Sequence, residues 1–163
     1  MSEYQYYEFE AIDRPLDDRQ MAELRALSTR AEITRTSFVN TYHYGDFKGD
    51  PHKLMKKYFD AFLYVANWGT HRLMLRVPRG LIDARVAGRY EIERAVSIDE
   101  TADHLIVELA SAPEDWAGDW EEGEGRLAAL VPVRDALLGG DLRPLYLGWL
   151  AGVQELDEEY DAE

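Results

Sequence analysis

The sequence predicts an α+β fold: a mixed β-sheet with helices on one face and a pair of helices at its C-terminal end. Three observations carry this. Aromatic and β-branched runs with a two-residue period alternate with segments of helical period through the first 90 residues. Two further strand patterns, 90–98 and 104–110, are joined by a short polar turn over 99–103. The last third then reads as two helices, 126–138 and 142–156, separated by Gly139-Gly140-Asp141. The order βαβαβ(α)ββαα describes a sheet layered against helices.

Each element has a local reason. Residues 4–12 place Tyr7, Phe9 and Ala11 on one side and Glu8 and Glu10 on the other, a strand pattern that stops before Pro15. Asp17 stands three residues before Gln20, the spacing of a capping box, and Met21, Leu24 and Leu27 recur at helical period, predicting a helix over 18–28. Residues 38–44 read as a strand, and the loop 45–51 that follows holds two glycines and a proline. Asp50 caps a helix with Pro51 in its first turn. That helix is predicted to run from 52 to 66, with Leu54, Met55, Tyr58, Phe59, Phe62 and Val65 on one broad face and Lys53, Lys56 and Lys57 on the other. Asn67-Trp68-Gly69-Thr70 is a turn. Residues 72–77 alternate as a third strand, and a short helix over 81–87 precedes the hairpin.

The chain has 163 residues, of which 46% are hydrophobic and 12% aromatic, enough for one substantial core. One domain over 1–156 is expected, followed by a frayed acidic tail, 157–163. Within it charge divides sharply at Tyr90. Residues 1–90 carry 14 Lys and Arg against 12 Asp and Glu, whereas 91–163 carry 4 against 20. The first lobe is near neutral and the second, 91–156, strongly acidic, so the cations of the first are expected to face carboxylates of the second within one molecule. There are no cysteines, which removes disulfides, thiol nucleophiles and thiolate metal sites and fits a reducing cytoplasm. The N-terminus lacks the basic-then-apolar pattern of a secretion signal, and charges interrupt the apolar C-terminal stretch, so neither export by that route nor membrane insertion is expected.

A set of longer motifs carries a resemblance. Tyr6-Tyr7-Glu8-Phe9, Ala11-Ile12-Asp13-Arg14-Pro15-Leu16, Gly45-Asp46-Phe47-Lys48-Gly49-Asp50-Pro51, Ala66-Asn67-Trp68-Gly69-Thr70 and Leu145-Tyr146-Leu147-Gly148-Trp149-Leu150 resemble an uncharacterised bacterial protein family over most of the chain. The resemblance implies no activity. It does imply that relatives continue past the helix containing Trp149.

Candidate chemistry concentrates between residues 42 and 76. Aromatics (Tyr42, Tyr44, Phe47, Trp68), cations (Lys48, Lys53, Lys56, Lys57, Arg72, Arg76) and histidines (His43, His52, His71) interleave there, a composition that can stack bases and hold phosphates. An amphipathic helix with watery lysines gives the same composition, and the net charge of −14 weighs against a polyanion. Asp46-Phe47-Lys48 echoes part of a metal-nuclease arrangement, but turn and cap roles for Asp46 and Asp50 are the simpler reading. The four histidines have no metal-ligand spacing, the serines lie in no nucleophile elbow, and no phosphate-cradling glycine loop exists. No catalytic residue, metal or cofactor is therefore expected.

Residues 114–124 embed Trp116 and Trp120 among six carboxylates, a pattern in which tryptophan anchors a partner and acid steers it. The predicted role is a non-catalytic interaction or accessory module that binds another protein through His43, Asp46, Lys48, Asn67, Trp68, His71 and Arg72, or through Trp116 and Trp120. The alternative is an enzyme or nucleic-acid-processing subunit with its site where loop 45–51 meets turn 67–72. That alternative needs the chain to double back after the 52–66 segment.

Overall fold

The structure is a computed structural model and describes residues 3–113, 118 and 122–161. Seven strands form one sheet: β1 (Gln5–Glu10), β2 (Glu32–Ile33), β3 (Ser37–Tyr42), β4 (Ala61–Ala66), β5 (His71–Pro78), β6 (Val96–Glu100) and β7 (His104–Ser111). Their spatial order is β2-β3-β1-β4-β5-β7-β6. The helices are α1 (Asp18–Leu27), α2 (Pro51–Lys57), α3 (Ala84–Gly88), α4 (Arg126–Leu138) and α5 (Arg143–Asp161). The architecture is α+β, with α4 and α5 as the C-terminal helical pair.

Two details differ from the expectation. Every strand pairing among the described residues is antiparallel, so the sheet is not mixed. Helices cover both faces rather than one. The strands themselves require this: in β4, Phe62, Tyr64 and Ala66 join one core with Phe9, Phe38, Met74 and Ile106 under α1 and α2. Ala61, Leu63 and Val65 join the other, with Leu75, Val107, Leu127 and Leu145 under α4 and α5. A sheet apolar on both sides is stable only when both are covered.

The same fact corrects the helix predicted over 52–66. Asp50 does cap α2, its carboxylate accepting the N–H of His52 at 2.9 Å and of Lys53 at 3.4 Å. The helix ends at Lys57 and the chain returns as β4. Asp60 makes the break: its carboxylate accepts the N–H of Ile12 at 2.6 Å and of Asp13 at 2.9 Å, bonds a continued helix would not place there. Leu54, Tyr58, Phe59, Phe62 and Val65 are all buried as expected, but Phe62 and Val65 lie within the sheet and on opposite faces.

Other local expectations hold. Asp17 and Gln20 form the capping box of α1, the Asp17 carboxylate accepting the Gln20 backbone N–H at 2.8 Å while the Gln20 side-chain Oε1 accepts the Asp17 backbone N–H at 3.0 Å. Residues 90–98 are shorter as a strand than predicted, because Ile92 and Val96 bond each other around a tight turn in which Arg94 takes φ +65°. That turn also shields the sheet's edge, since the Glu91 carboxylate accepts the Ile98 N–H at 3.2 Å and leaves less of β6 open to a foreign strand. The segment predicted as a frayed tail is helical through Asp161. Among the described residues no helix is long and apolar enough to cross a membrane.

Charges pair across the two halves as the composition suggests. Arg72 meets Glu108, Lys56 meets Asp99 at 3.0 Å, and Arg79 meets Glu100 at 3.2 Å. The half-exposed Lys56–Asp99 and Arg79–Glu100 pairs contribute about 0–1 kcal/mol each, so they orient more than they stabilise. Light scattering is expected to give a monomer at both low and high salt. Oligomers that dissolve on adding salt would show instead that the two charge surfaces meet between molecules.

Candidate functional site

Three polar constellations stand out, and the first contains the site anticipated at the loop and turn. β1 lies between β3 and β4, and Gln5 is paired with both Tyr42 and Ala66, so loop 45–51 and turn 67–72 leave the same end of the sheet. The chain doubles back because β4 replaces the second half of the predicted helix. Gln5 is buried and ties the loop down: its side-chain N–H groups donate to the Gly45 carbonyl and to Asp46 Oδ1, each at 3.1 Å. Its carbonyl oxygen accepts the Tyr64 hydroxyl at 2.8 Å and the Tyr7 hydroxyl at 3.3 Å. Burial pushes both phenols above their ordinary range, so they stay neutral and act as hydrogen-bond donors.

Arg72 extends this row to β7. Its guanidinium reaches both oxygens of Glu108 at 3.1 Å and lies 5.8 Å from the Phe62 ring centre. His52 of α2 approaches the same carboxylate at 3.2 Å. Alternation along β5 sends the neighbouring His71 to the other face, where its Nδ1–H donates to the Gly69 carbonyl at 2.9 Å. The sheet therefore separates His71 from Arg72 and Asp46.

The remaining predicted residues stay at the surface. His43 is exposed, its ring 6.0 Å from that of Tyr4, and Lys48 is exposed. Asn67 donates its backbone N–H to the Tyr4 carbonyl at 3.1 Å, and Trp68 is 43% exposed in the turn. Trp116 and Trp120 lie outside the described residues. The structure thus brings Asp46 and Arg72 onto one row, whose Gln5, Tyr7, Tyr64 and Glu108 the sequence reading missed. A glutamine inside a run of buried aromatics was the available signal, because a buried amide must find partners.

The second constellation is an ion network at the opposite end of the sheet, with Arg134 and Asp60 buried and Asp13 half exposed at its rim. Arg134 of α4 is 1% exposed and grips Asp13 with two bonds of 3.0 and 2.7 Å, while its Nε–H donates to the Arg76 carbonyl at 2.8 Å. Arg76 in turn reaches Asp60 Oδ1 at 2.9 and 3.2 Å. Hydrogen bonding from Arg134 holds the Asp13 carboxyl below its usual range. Burial, reinforced by Arg76, pushes His104 down. With its carboxylates and guanidiniums matched to one another, this network clamps α4 to β5 and to the β1 exit.

The third is a groove of about 440 Å³ between α4, α5 and the sheet. Leu63, Leu73 and Leu109 floor it, Ala129 and Leu130 form the α4 wall, and Gly148, Ala151 and Gly152 form the α5 wall. The glycines let α5 approach the sheet: a Cβ on Gly152 would stand 2.6 Å from that of Ala95. Gly123 plays a similar part where α4 begins, its N–H donating to the Tyr4 hydroxyl at 3.0 Å with the Tyr6 ring where a Cβ would go. No protein-family model matches the chain, and no curated protein sequence or solved structure is significantly similar to it.

Chemically, the first two are satisfied networks. The chemistry-bearing atoms of Gln5, Arg72, Glu108, Asp60 and Arg134 are each engaged by partners within the protein. Among the described residues no group of three or more His, Asp or Glu side chains stands together in a way that could hold a metal ion. The third is a place with room.

Proposed function

We propose that this protein is a non-catalytic interaction module that docks another protein on the outward face of α5. The observation that supports it is the composition of that face. Leu145, Gly148 and Gly152 turn towards the sheet, yet on the other side Tyr146 and Leu147 are 47% and 62% exposed, and Tyr146 stacks on Trp149 with ring centres 6.1 Å apart. The helix then continues into exposed Glu155, Asp157, Glu158 and Asp161. A lone exposed apolar residue needs no explanation. An aromatic pair beside an exposed leucine, followed by a carboxylate run, is the composition of an anchor with steering charge, and it suits a partner whose apolar pocket is rimmed by lysine or arginine. The physics is that expected for Trp116 and Trp120, carried here by α5. A chain without cysteines also suits a reducing compartment such as the cytoplasm.

The test is capture from the source cell with the wild type, Leu147→Glu and Lys48→Glu. Both substitutions are at exposed positions and are expected to change stability by no more than about 0.5 kcal/mol. A partner held by the wild type and by Lys48→Glu, lost from Leu147→Glu and released by salt, is the expected result. A bound set unchanged by Leu147→Glu would reject the reading.

A second reading, an enzyme or nucleic-acid-processing subunit, draws support from the shared sheet end of loop 45–51 and turn 67–72. It predicts the reverse outcome, with Lys48→Glu as the damaging change.

A further inference from the structure

The elements that line the groove between α4, α5 and the sheet each bring a polar residue to the same end of it. His71 of β5 and Ser111 of β7 are cross-strand partners, and Leu73 and Leu109 are the next pair on that face. The order repeats on α5, from Glu155 through Gly152 to Gly148, and on α4, from Arg126 to Leu130. One end is therefore polar and the other is floored by leucine. From Gly148 to Glu155 the α5 wall runs about 10 Å at 1.5 Å per residue. The volume of about 440 Å³ lies within the range of small-molecule sites, roughly 300–1,000 Å³.

The polar end is acidic in what it can offer a ligand. Arg126 and His71 are already engaged within the protein, and the Arg72 guanidinium is committed to Glu108 on the far side of the sheet. Glu155 is exposed and differs from them. One of its oxygens accepts the Ser111 hydroxyl at 2.9 Å, and the other has no hydrogen-bond donor among the described residues. Exposed Asp157, Glu158 and Asp161 follow on the same helix and add to the negative field at this mouth.

We propose that this groove binds a single aliphatic chain ending in an ammonium group, the chain lying on Leu63, Leu73, Leu109 and Leu130 and the head at Glu155. The match is one of shape and charge: an apolar run one short chain long, then one carboxylate with an oxygen to give. An anionic head would meet that carboxylate as a like charge.

Calorimetric titration of the full chain with octylammonium, octanol, octanoate and methylammonium, all below their aggregation limits, tests it. Octylammonium is expected to bind saturably at one site, about five-fold tighter than octanol and ten-fold or more tighter than octanoate. Methylammonium, which shares the charge and lacks the chain, should show no saturable binding, separating the site from general attraction to a protein of net charge −14. Glu155→Gln should remove the five-fold advantage of octylammonium and leave octanol unchanged. Ala151→Leu, at an exposed position on the wall, should weaken both chains ten-fold or more by filling the groove while thermal unfolding stays near wild type. Absence of saturable octylammonium binding, equal or tighter binding of octanoate, an advantage undiminished in Glu155→Gln, or undiminished binding by Ala151→Leu would each overturn the proposal. These outcomes are independent of partner capture through Leu147.

Discussion

Arg134→Ala is expected to lower stability by about 3–5 kcal/mol, read as a fall in the midpoint of urea unfolding. The side chain is 1% exposed, and its removal strips Asp13 of two bonds and the Arg76 carbonyl of one. Asp60, 1% exposed, loses a second cation at 3.8 Å and keeps Arg76 and the N–H groups of Ile12 and Asp13. Asp13 is half exposed and is rehydrated when its partner goes, so the cost arises mainly from the cavity left by the buried Arg134 side chain and from the Arg76 carbonyl left without its donor, and Arg134→Met should lose less than Arg134→Ala. Acid probes the same network with a definite sign. The folded-state pKa of Asp13 lies below its unfolded value, so its contribution is present above the ordinary carboxylate range and is lost as pH falls through the lowered value. Arg134→Ala should flatten that part of the pH–stability curve. A loss under 1 kcal/mol would mean the network is ornamental.

Phe62→Ala should be comparably damaging, costing about 3–5 kcal/mol in the same measurement. Phe62 sits in the middle of β4 with none of its surface exposed, and its ring lies 4.4 Å from Phe9 and 6.4 Å from Tyr7 by centroid. Arg72 approaches the same ring. The cavity would open beneath both α2 and the polar row, so the loop 45–51 tether should loosen with it. A cost below half of that range would place the site nearer the sheet's edge than the structure does.

How much of this was legible in the sequence depends on what each residue had to satisfy. Caps could be read, because Asp17 with Gln20 and Asp50 before Pro51 are local devices whose partners lie within three residues. The 52–66 segment could not be split by periodicity, since an apolar run buried on two faces matches a helix and a central strand equally well. The overlooked clue was that 61–66 contains no charged side chain to face water, whereas 53–57 has three lysines. The expectation of a mixed sheet goes with that misreading, because the supposed helix removed β4, the strand that sits between β1 and β5 and pairs antiparallel with both. Of the candidate site, Asp46 and Arg72 were visible as charges near aromatics. Gln5, Glu108 and Arg134 were not, because their partners lie 36 to 121 residues away along the chain.

The claim that α5 carries the docking face is tested most directly by site-specific photo-crosslinking in the source cell, with a photoreactive phenylalanine placed in turn at Leu147, Tyr44 and Trp68. All three positions are exposed, so each can carry the probe without disturbing the core. The account predicts a crosslinked partner from position 147 that is absent from 44 and 68 and is suppressed by high salt. Crosslinks from 44 or 68 with none from 147 would contradict it and move the functional surface to the loop and turn.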